Sequence, residues 1–595
     1  MTIEWQPSKG ITPTQELMDI ILCDQSISVL AGAGSGKTEL LAQKSNYLLQ
    51  TGKCMWPKRI LCLSYKKEAQ ENIKERVNKR CGQRGERFDS YTFDAFCKSI
   101  VDRFKDVLPE SKRPLNNYDL VFNARSSNGK NKLSFDLIRN LAVEILKNRA
   151  DIVDLFSFTY PHVFIDEFQD TRSDQYELIK ILFKDTGTKL LAVGDINQSI
   201  MLWAGARKTV FEEYEKEFNT TRKLLVQNFR ASDEIQEVLR CFIHFVQNDA
   251  NFAPITNNVD NCTIHCYDDE VSEADSIADK IETFIASGIK EKEICVLAKQ
   301  QSEQYTEKLR DKLTMKGIRN LDMSELQDVL KEPLGRIFAA LFKVYTSRSS
   351  SSYTELCDLY LALHRVTRGD EKEESLIKEL SNKIAVNKEI LGDSPTPDLL
   401  LSCVKDIISF FGFKKMMGRW NQYKSTDYWD QVWLRLERHL RYTIGATHSL
   451  NEAALMFQAE NSVQVMNVHK CKGLEYKVVI FLGLEDQAFW NYNKEKFEND
   501  CVFYVALSRA KEKILVTTAK HREHRINNGY DNRISNYQMV MPVYSFLIEH
   551  CKFKWMNIRR ILHNKMDLLK NKILSDCRIY LAIGSSLRHF VAWSI

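Results

Sequence analysis

Residues 31–39 read AGAGSGKTE, and their reading decides the fold. Before them, SISVL (26–30) alternates and then turns apolar, as a buried strand does. After them, ELLAQKSNYLL (39–49) spaces its apolar residues as a helix does. Strand, glycine loop and helix are the setting of a phosphate-binding loop. Gly32, Gly34 and Gly36, set among Ala31, Ala33 and Ser35, let backbone N–H groups approach phosphate oxygens, and the helix N-terminus adds its positive dipole end. Lys37 is placed to reach the β- and γ-phosphates, and Thr38 to ligate Mg²⁺. The loop pattern asks for Gly at position 31 and finds Ala.

A phosphate loop serves kinases, GTPases and motors alike, so the next acidic block matters. HVFIDEFQD (162–170) is an apolar strand ending in Asp166 and Glu167. The first carboxylate suits the Mg²⁺ shell and the second suits activation of a water, which favours hydrolysis over transfer to another substrate.

With AGAGSGKT, the run DEFQDT (166–171) resembles the UvrD/Rep/PcrA-like superfamily 1A DNA helicases, and further blocks follow in that family's order. In TPTQELMDII (12–21), Gln15 is similar to the family's adenine-reading glutamine. ILCLSYKKEAQENIKERV (60–77) resembles the first DNA-contact block, with Tyr65 where a base-touching aromatic stands and Arg76 near the nucleotide. SYTFDAF (90–96) resembles the next DNA block, through Thr92 and Phe93. In LAVGDINQSIMLWAGA (191–206) the resemblance implies that Gln198 senses the γ-phosphate and Trp203 stacks on a base. In LLVQNFRAS (224–232) it implies that Phe229 stacks on adenine and Arg230 neutralises the γ-phosphate. VQVMNVHKCKGLEYKVV (463–479) supplies His469 toward DNA and Glu475 toward the ribose or the coupling network. YVALSRAKEKILV (504–516) supplies Arg509 as a second arginine finger.

The resemblance implies an α/β fold of two RecA-like motor domains with parallel sheets, 1A and 2A, each carrying a mainly helical insertion, 1B and 2B. It places motor 1A at 1–97 and 158–223 around a short 1B at 98–157. Motor 2A falls at 224–345 and 455–550 around a 2B at 346–454, and 551–595 is left as a possible docking segment. TSRSSSSY (346–353) reads as a linker into 2B. The implied activity is hydrolysis of ATP with Mg²⁺, coupled to movement along single-stranded DNA, 3′ to 5′, and unwinding at single-strand/duplex junctions. An alternative is an ATP- and DNA-sensing subunit of a partner nuclease, akin to the helicase subunit of Gabija-type anti-phage systems. No block of paired carboxylates with a lysine marks a nuclease within the chain.

The sequence also departs from the family pattern. Glu39 follows the loop where Arg is frequent, Lys66-Lys67-Glu68-Ala69-Gln70 replaces a TNKAA-like run, and Met201 and Ala204 stand where Tyr and Arg are common. Asp500 and Cys501 replace an arginine pair. Each bears on DNA grip or base preference; none removes a catalytic group.

The bulk numbers agree with such a protein but do not demand it. The net charge of +5 rests on 84 basic and 79 acidic groups, so any nucleic-acid surface needs its cations gathered in one groove. The fifteen cysteines lack zinc spacing and read as thiols of a reducing cytoplasm. No long uncharged apolar run suggests a membrane span.

Overall fold

The computed structural model describes residues 5–556 apart from positions 9, 117, 122–124, 126, 258, 348, 367–368, 393–394 and 524–533. Strands β1 (Ile27–Ala31), β2 (Ile60–Ser64) and β3 (Phe88–Thr92) come first, then a short parallel pair, β4 (Asp119–Val121) and β5 (Lys132–Ser134). They are followed by β6 (His162–Ile165), β7 (Lys189–Gly194) and β8 (Thr221–Leu225). Six of these form an all-parallel sheet in the order β3-β2-β6-β7-β1-β8. β2, ILCLS, and β6, HVFI, are buried at every position, the pattern of a parallel strand covered on both faces. The two faces carry separate cores, one around Val29, Leu41 and Val193, the other around Leu63, Val163 and Ile165.

This order puts β7 between β6 and β1. The loops leaving these three strands therefore share one sheet edge, and they hold Asp166–Glu167, Gln198 and the phosphate loop. Ligands of open parallel sheets bind at this carboxyl edge.

The second sheet is also parallel: β9 (Cys262–Asp269), β10 (Ile294–Ala298), β11 (Asn320–Asp322), β12 (Val463–Asn467), β13 (Tyr476–Phe481), β14 (Ala510–His521) and β15 (Lys554–Met556), in the order β11-β12-β10-β13-β14-β9-β15. A mainly helical unit is inserted between β11 and β12 and has its own core. The architecture is thus α/β, with two parallel-sheet domains and helical insertions.

Three boundaries differ from expectation. Residues 346–353 are not a linker: one helix, Pro333–Ser347, runs into the stretch and the next, Ser350–His364, starts within it. The helical core consequently runs from Val329 to Phe457 rather than 346–454, because the helix Pro333–Ser347 buries Leu334, Phe338 and Phe342 in it. Residues 98–157 do not build a core of their own. Ile100, Ile138, Ile145 and Phe156 join Leu63 and Val163 in one cluster, since a stretch this short cannot bury enough apolar surface alone. Finally, 551–556 is not a docking tail: Cys551 and Phe553 are buried and β15 adds to β9 in register Trp555↔Ile264. Residues 557–595 lie outside the described residues.

Candidate nucleotide and DNA cleft

The phosphate loop leaves β1 and opens the helix Lys37–Gln50. Gly34 and Gly36 sit at φ 71° and 85°, which favour glycine. Gly34 also has no room for a side chain, since a Cβ would meet the Asn228 carboxamide oxygen at 2.4 Å. Among the described residues the Ser35 hydroxyl is buried without a partner, and Lys37 donates only to the Ala31 carbonyl, at 3.4 Å. An orphaned hydroxyl, a long lysine contact and a glycine backbone fit an anion of triphosphate type.

Asp166 and Glu167 follow β6. Asp166 is 6% exposed, and burial with the neighbouring Glu167 raises its carboxyl to about 7. Burial would also raise Glu167, but Lys472, Lys37, the Gln169 amide and Arg509 outweigh it and hold the carboxyl down to about 2. Glu167 adopts φ 50° and ψ 47°, a left-handed conformation rare for a non-glycine residue. Gln169 maintains it: its Nε2 donates to Glu167 at 2.6 Å while its Oε1 accepts from the Asp195 N–H at 2.9 Å. Among the described residues no group of three metal-ligating side chains occurs. Thr38 and Asp166 suit Mg²⁺ only with phosphate oxygens completing the shell, which is how that ion usually binds with nucleotides.

Gly194 explains how tightly this arrangement is packed. A Cβ there would lie 2.2 Å from Gln169 Oε1 and 3.0 Å from the Phe168 nitrogen. Gly194→Ala should cost about 1–3 kcal/mol of stability and lower ATP turnover by displacing Gln169, as thermal melting and a steady-state ATPase assay will show.

The second domain closes the cleft. Arg509 is 2% exposed and donates to the Val505 carbonyl (3.0 Å), the Leu474 carbonyl (3.3 Å) and Gln198 Oε1 (3.2 Å). Gln198 in turn donates to Asp195 at 2.8 Å, so an arginine of one domain is joined to the sheet edge of the other. Arg230 pairs with Glu475 at 2.6 Å, and Glu475 also with Lys511 at 2.7 Å. Phe229 is 65% exposed, its N–H bound to the Gly34 carbonyl at 3.1 Å. Gln15 opens the helix Gln15–Leu22, is exposed, and donates to Asp19 at 2.7 Å. Arg76 pairs with Glu39 at 2.9 Å, as does Arg80 at 3.0 Å.

The same cleft continues past the nucleotide residues to Tyr65, Trp203 and His469. Trp203 is 69% exposed, and its ring meets His469 edge-on at 6.2 Å. Burial, then Lys66, Lys299 and Lys472, push His469 down to about 4, so its imidazole is neutral, with Nδ1 unpartnered among the described residues. Phe93 corrects the sequence reading. It is 2% exposed and packed with Phe96 and Ile100, so its ring cannot stack on a base. Its helical register, the first position of the helix Phe93–Phe104, turns it into the core, while Thr92 caps that helix by accepting from the Ala95 N–H at 3.2 Å.

Several residues escaped the sequence reading. Lys472 is buried between the domains, 2.6 Å from Asp170 and 4.0 Å from Glu167, and donates to the Gln198 carbonyl at 3.1 Å. Asn228, Gln169 and Asp195 hold the loops in place. Lys472 and Asp170 lie inside blocks already quoted, but a spacing pattern does not reveal that they meet.

Fold and cleft define the class: a two-domain P-loop protein whose nucleotide loop faces arginines from the second domain. The UvrD/REP helicase N-terminal domain matches residues 14–120 and 109–219, and the UvrD-like helicase C-terminal domain matches 223–331 and 421–521. The ATP-dependent DNA helicase PcrA of Staphylococcus aureus (strain Mu50 / ATCC 700699) is 24% identical, over 83% of this chain and 81% of its own. A probable DNA helicase II homolog of Mycoplasma capricolum is 23% identical (85% and 84%), and PcrA of Bacillus subtilis (strain 168) 22% (86% and 83%). The chain belongs to the UvrD/Rep/PcrA-like superfamily 1A helicases. Among the described residues no helix is long and apolar enough to cross a membrane.

Proposed function

We propose that the protein is an ATP-dependent DNA helicase, which hydrolyses ATP in the cleft between its sheets, translocates on single-stranded DNA from 3′ to 5′, and opens duplex at single-strand junctions in the cytoplasm. The observation that carries this reading is the bond from Arg509 to Gln198, which ties the second domain to the phosphate edge of the first. Bound Mg²⁺ would supply charge neutralisation at the phosphates, held through Thr38 and Asp166. Lys37, Arg230 and Arg509 supply the remaining positive charge, Glu167 orients and deprotonates the attacking water, and Gln198 reports the γ-phosphate to the Trp203 loop. Gln15, Phe229 and Arg76, with Glu475, flank the base and ribose. Tyr65, Thr92, Trp203 and His469 face the strand. Closure completes the site and product release reopens it, so hydrolysis and movement are linked.

The test is ATP hydrolysis with and without single-stranded DNA, followed by unwinding of duplexes with 3′ or 5′ overhangs. Turnover indifferent to DNA would sink the reading, and unwinding from 5′ overhangs alone would reverse the polarity. Trp203→Ala should weaken single-stranded DNA binding by about 1–3 kcal/mol and leave DNA-free turnover unchanged, as measured by fluorescence anisotropy and a DNA-free ATPase assay.

A second reading, an ATP- and DNA-sensing subunit of a partner nuclease in anti-phage defence, draws support from the small 98–157 insertion that merges with the first domain's core. Robust unwinding by the isolated chain would count against it.

A further inference from the structure

The segment that follows β7 belongs to the first domain by chain order, yet the second domain holds it. Ile200 is fully buried in the second domain's core, with Phe242, Phe503 and Val505. One helix of that domain, Lys496–Leu507, lies against the segment. Just past its C-terminal end, Arg509 holds Gln198 at 3.2 Å. In its middle, the Cys501 thiol donates to the Ile196 carbonyl at 3.8 Å. In its first turn, the Phe497 ring sits under the Lys208 ammonium, 4.3 Å away. The next residue, Glu498, reaches the turn that carries Trp203, and the nucleotide chemistry makes no use of its carboxylate.

The turn Leu202–Ala204 leaves a donor over at its central residue. The Ala204 N–H bonds to the Met201 carbonyl at 3.0 Å, that of Gly205 to the Leu202 carbonyl at 2.9 Å, and that of Ala206 to the Met201 carbonyl at 3.2 Å. The Trp203 N–H donates instead across the domain boundary, to Glu498 Oε1 at 3.3 Å. Glu498 is buried, which raises its carboxyl, and the Trp203 N–H pulls hardest the other way. The backbone of Trp203 is thus tied down while its ring stays exposed, edge-on to His469.

We propose that Glu498 is a positioning residue for Trp203: reaching across from the second domain, its carboxylate fixes the turn that aims the indole at the single strand. The assignment rests on the reading of this cleft as a DNA groove. A carboxylate bound to a backbone N–H is stronger than a neutral pair. Aromatic stacking has a preferred geometry, so freeing the turn costs grip without removing the ring.

Binding of oligo-dT to the full chain is measured by fluorescence anisotropy for the native protein, Glu498→Ala, Glu498→Gln, Trp203→Ala and the double variant Glu498→Ala/Trp203→Ala. Trp203→Ala should weaken binding roughly 5- to 100-fold, and Glu498→Ala about tenfold. Glu498→Gln, whose amide oxygen still accepts the N–H, should stay within about threefold of native. Added to Trp203→Ala, Glu498→Ala should cost less than about twofold more, because no ring remains to be aimed. A carboxylate that merely stabilised the fold would weaken both backgrounds alike. Native binding by Glu498→Ala beside a weakened Trp203→Ala would overturn the assignment and leave the groove standing. So would a Gln variant as weak as the Ala variant, or costs that add in the double variant. Native binding by Trp203→Ala would overturn the groove and the assignment with it. If Glu498→Ala melts early, Glu498→Met fills the space without an acceptor and takes its place in the same cycle: a loss that vanishes on Trp203→Ala supports the assignment, and native binding refutes it.

Discussion

Glu167→Gln should reduce the DNA-stimulated turnover number by roughly 10²–10⁴ while nucleotide binding stays within a few-fold. The substitution preserves shape and removes the proton acceptor. It also preserves the setting: position 167 is held left-handed by the turn that follows β6, and the Gln169 amide that steadies it belongs to that same turn. Fluorescent-nucleotide binding measured beside steady-state hydrolysis separates the two effects. Loss of binding together with turnover would mean that Glu167 holds the site together rather than activating water. Turnover within tenfold of native would mean that another group takes the proton. Lys472 makes the comparison informative, because it lies 4.0 Å from this carboxylate and is bound to Asp170. In Glu167→Gln it loses one of two acidic neighbours, so the variant should loosen the domain contact slightly as it abolishes chemistry.

Much of this site was legible in the sequence because phosphate chemistry constrains local runs. A glycine loop must sit between a strand and a helix, and the acidic pair must end a strand. Both demands act over about ten residues, and both loops lie where the pattern puts them. What was not legible depends on packing across the chain. Phe93 reads as a DNA aromatic by position, but helix phase points it inward against Phe96. Lys472 and Asp170 are 302 residues apart, and their contact exists only once two domains meet. The linker at 346–353 failed for a related reason: a serine run resembles a loop in composition, yet Ser349 caps the next helix by accepting from the Ser352 N–H. Composition registers polarity, whereas the cap uses it.

Arg509→Ala should lower turnover by roughly 10³-fold or more, the low end of what an arginine finger contributes, and should abolish its stimulation by DNA without weakening DNA binding. The side chain is fixed before any ligand arrives, by carbonyls of its own domain and by Gln198 of the other. Gln198 sits five residues before Trp203, so one short segment carries both the arginine's partner and an exposed indole ring. Arg509→Lys should rescue little, because an ammonium lacks the planar fork that bridges these acceptors. Burial at 2% means that truncation also leaves Gln198 and two carbonyls short of a donor. Melting temperature and ADP affinity are therefore measured alongside. A double-mutant cycle with Gln198→Ala gives the decisive number. If Arg509 acts through the domain contact, the two substitutions together should cost little more than Arg509→Ala alone. If their costs simply add, the bond between them carries no signal, and DNA must reach the nucleotide by a different contact, of which Lys472 with Asp170 is the next to test.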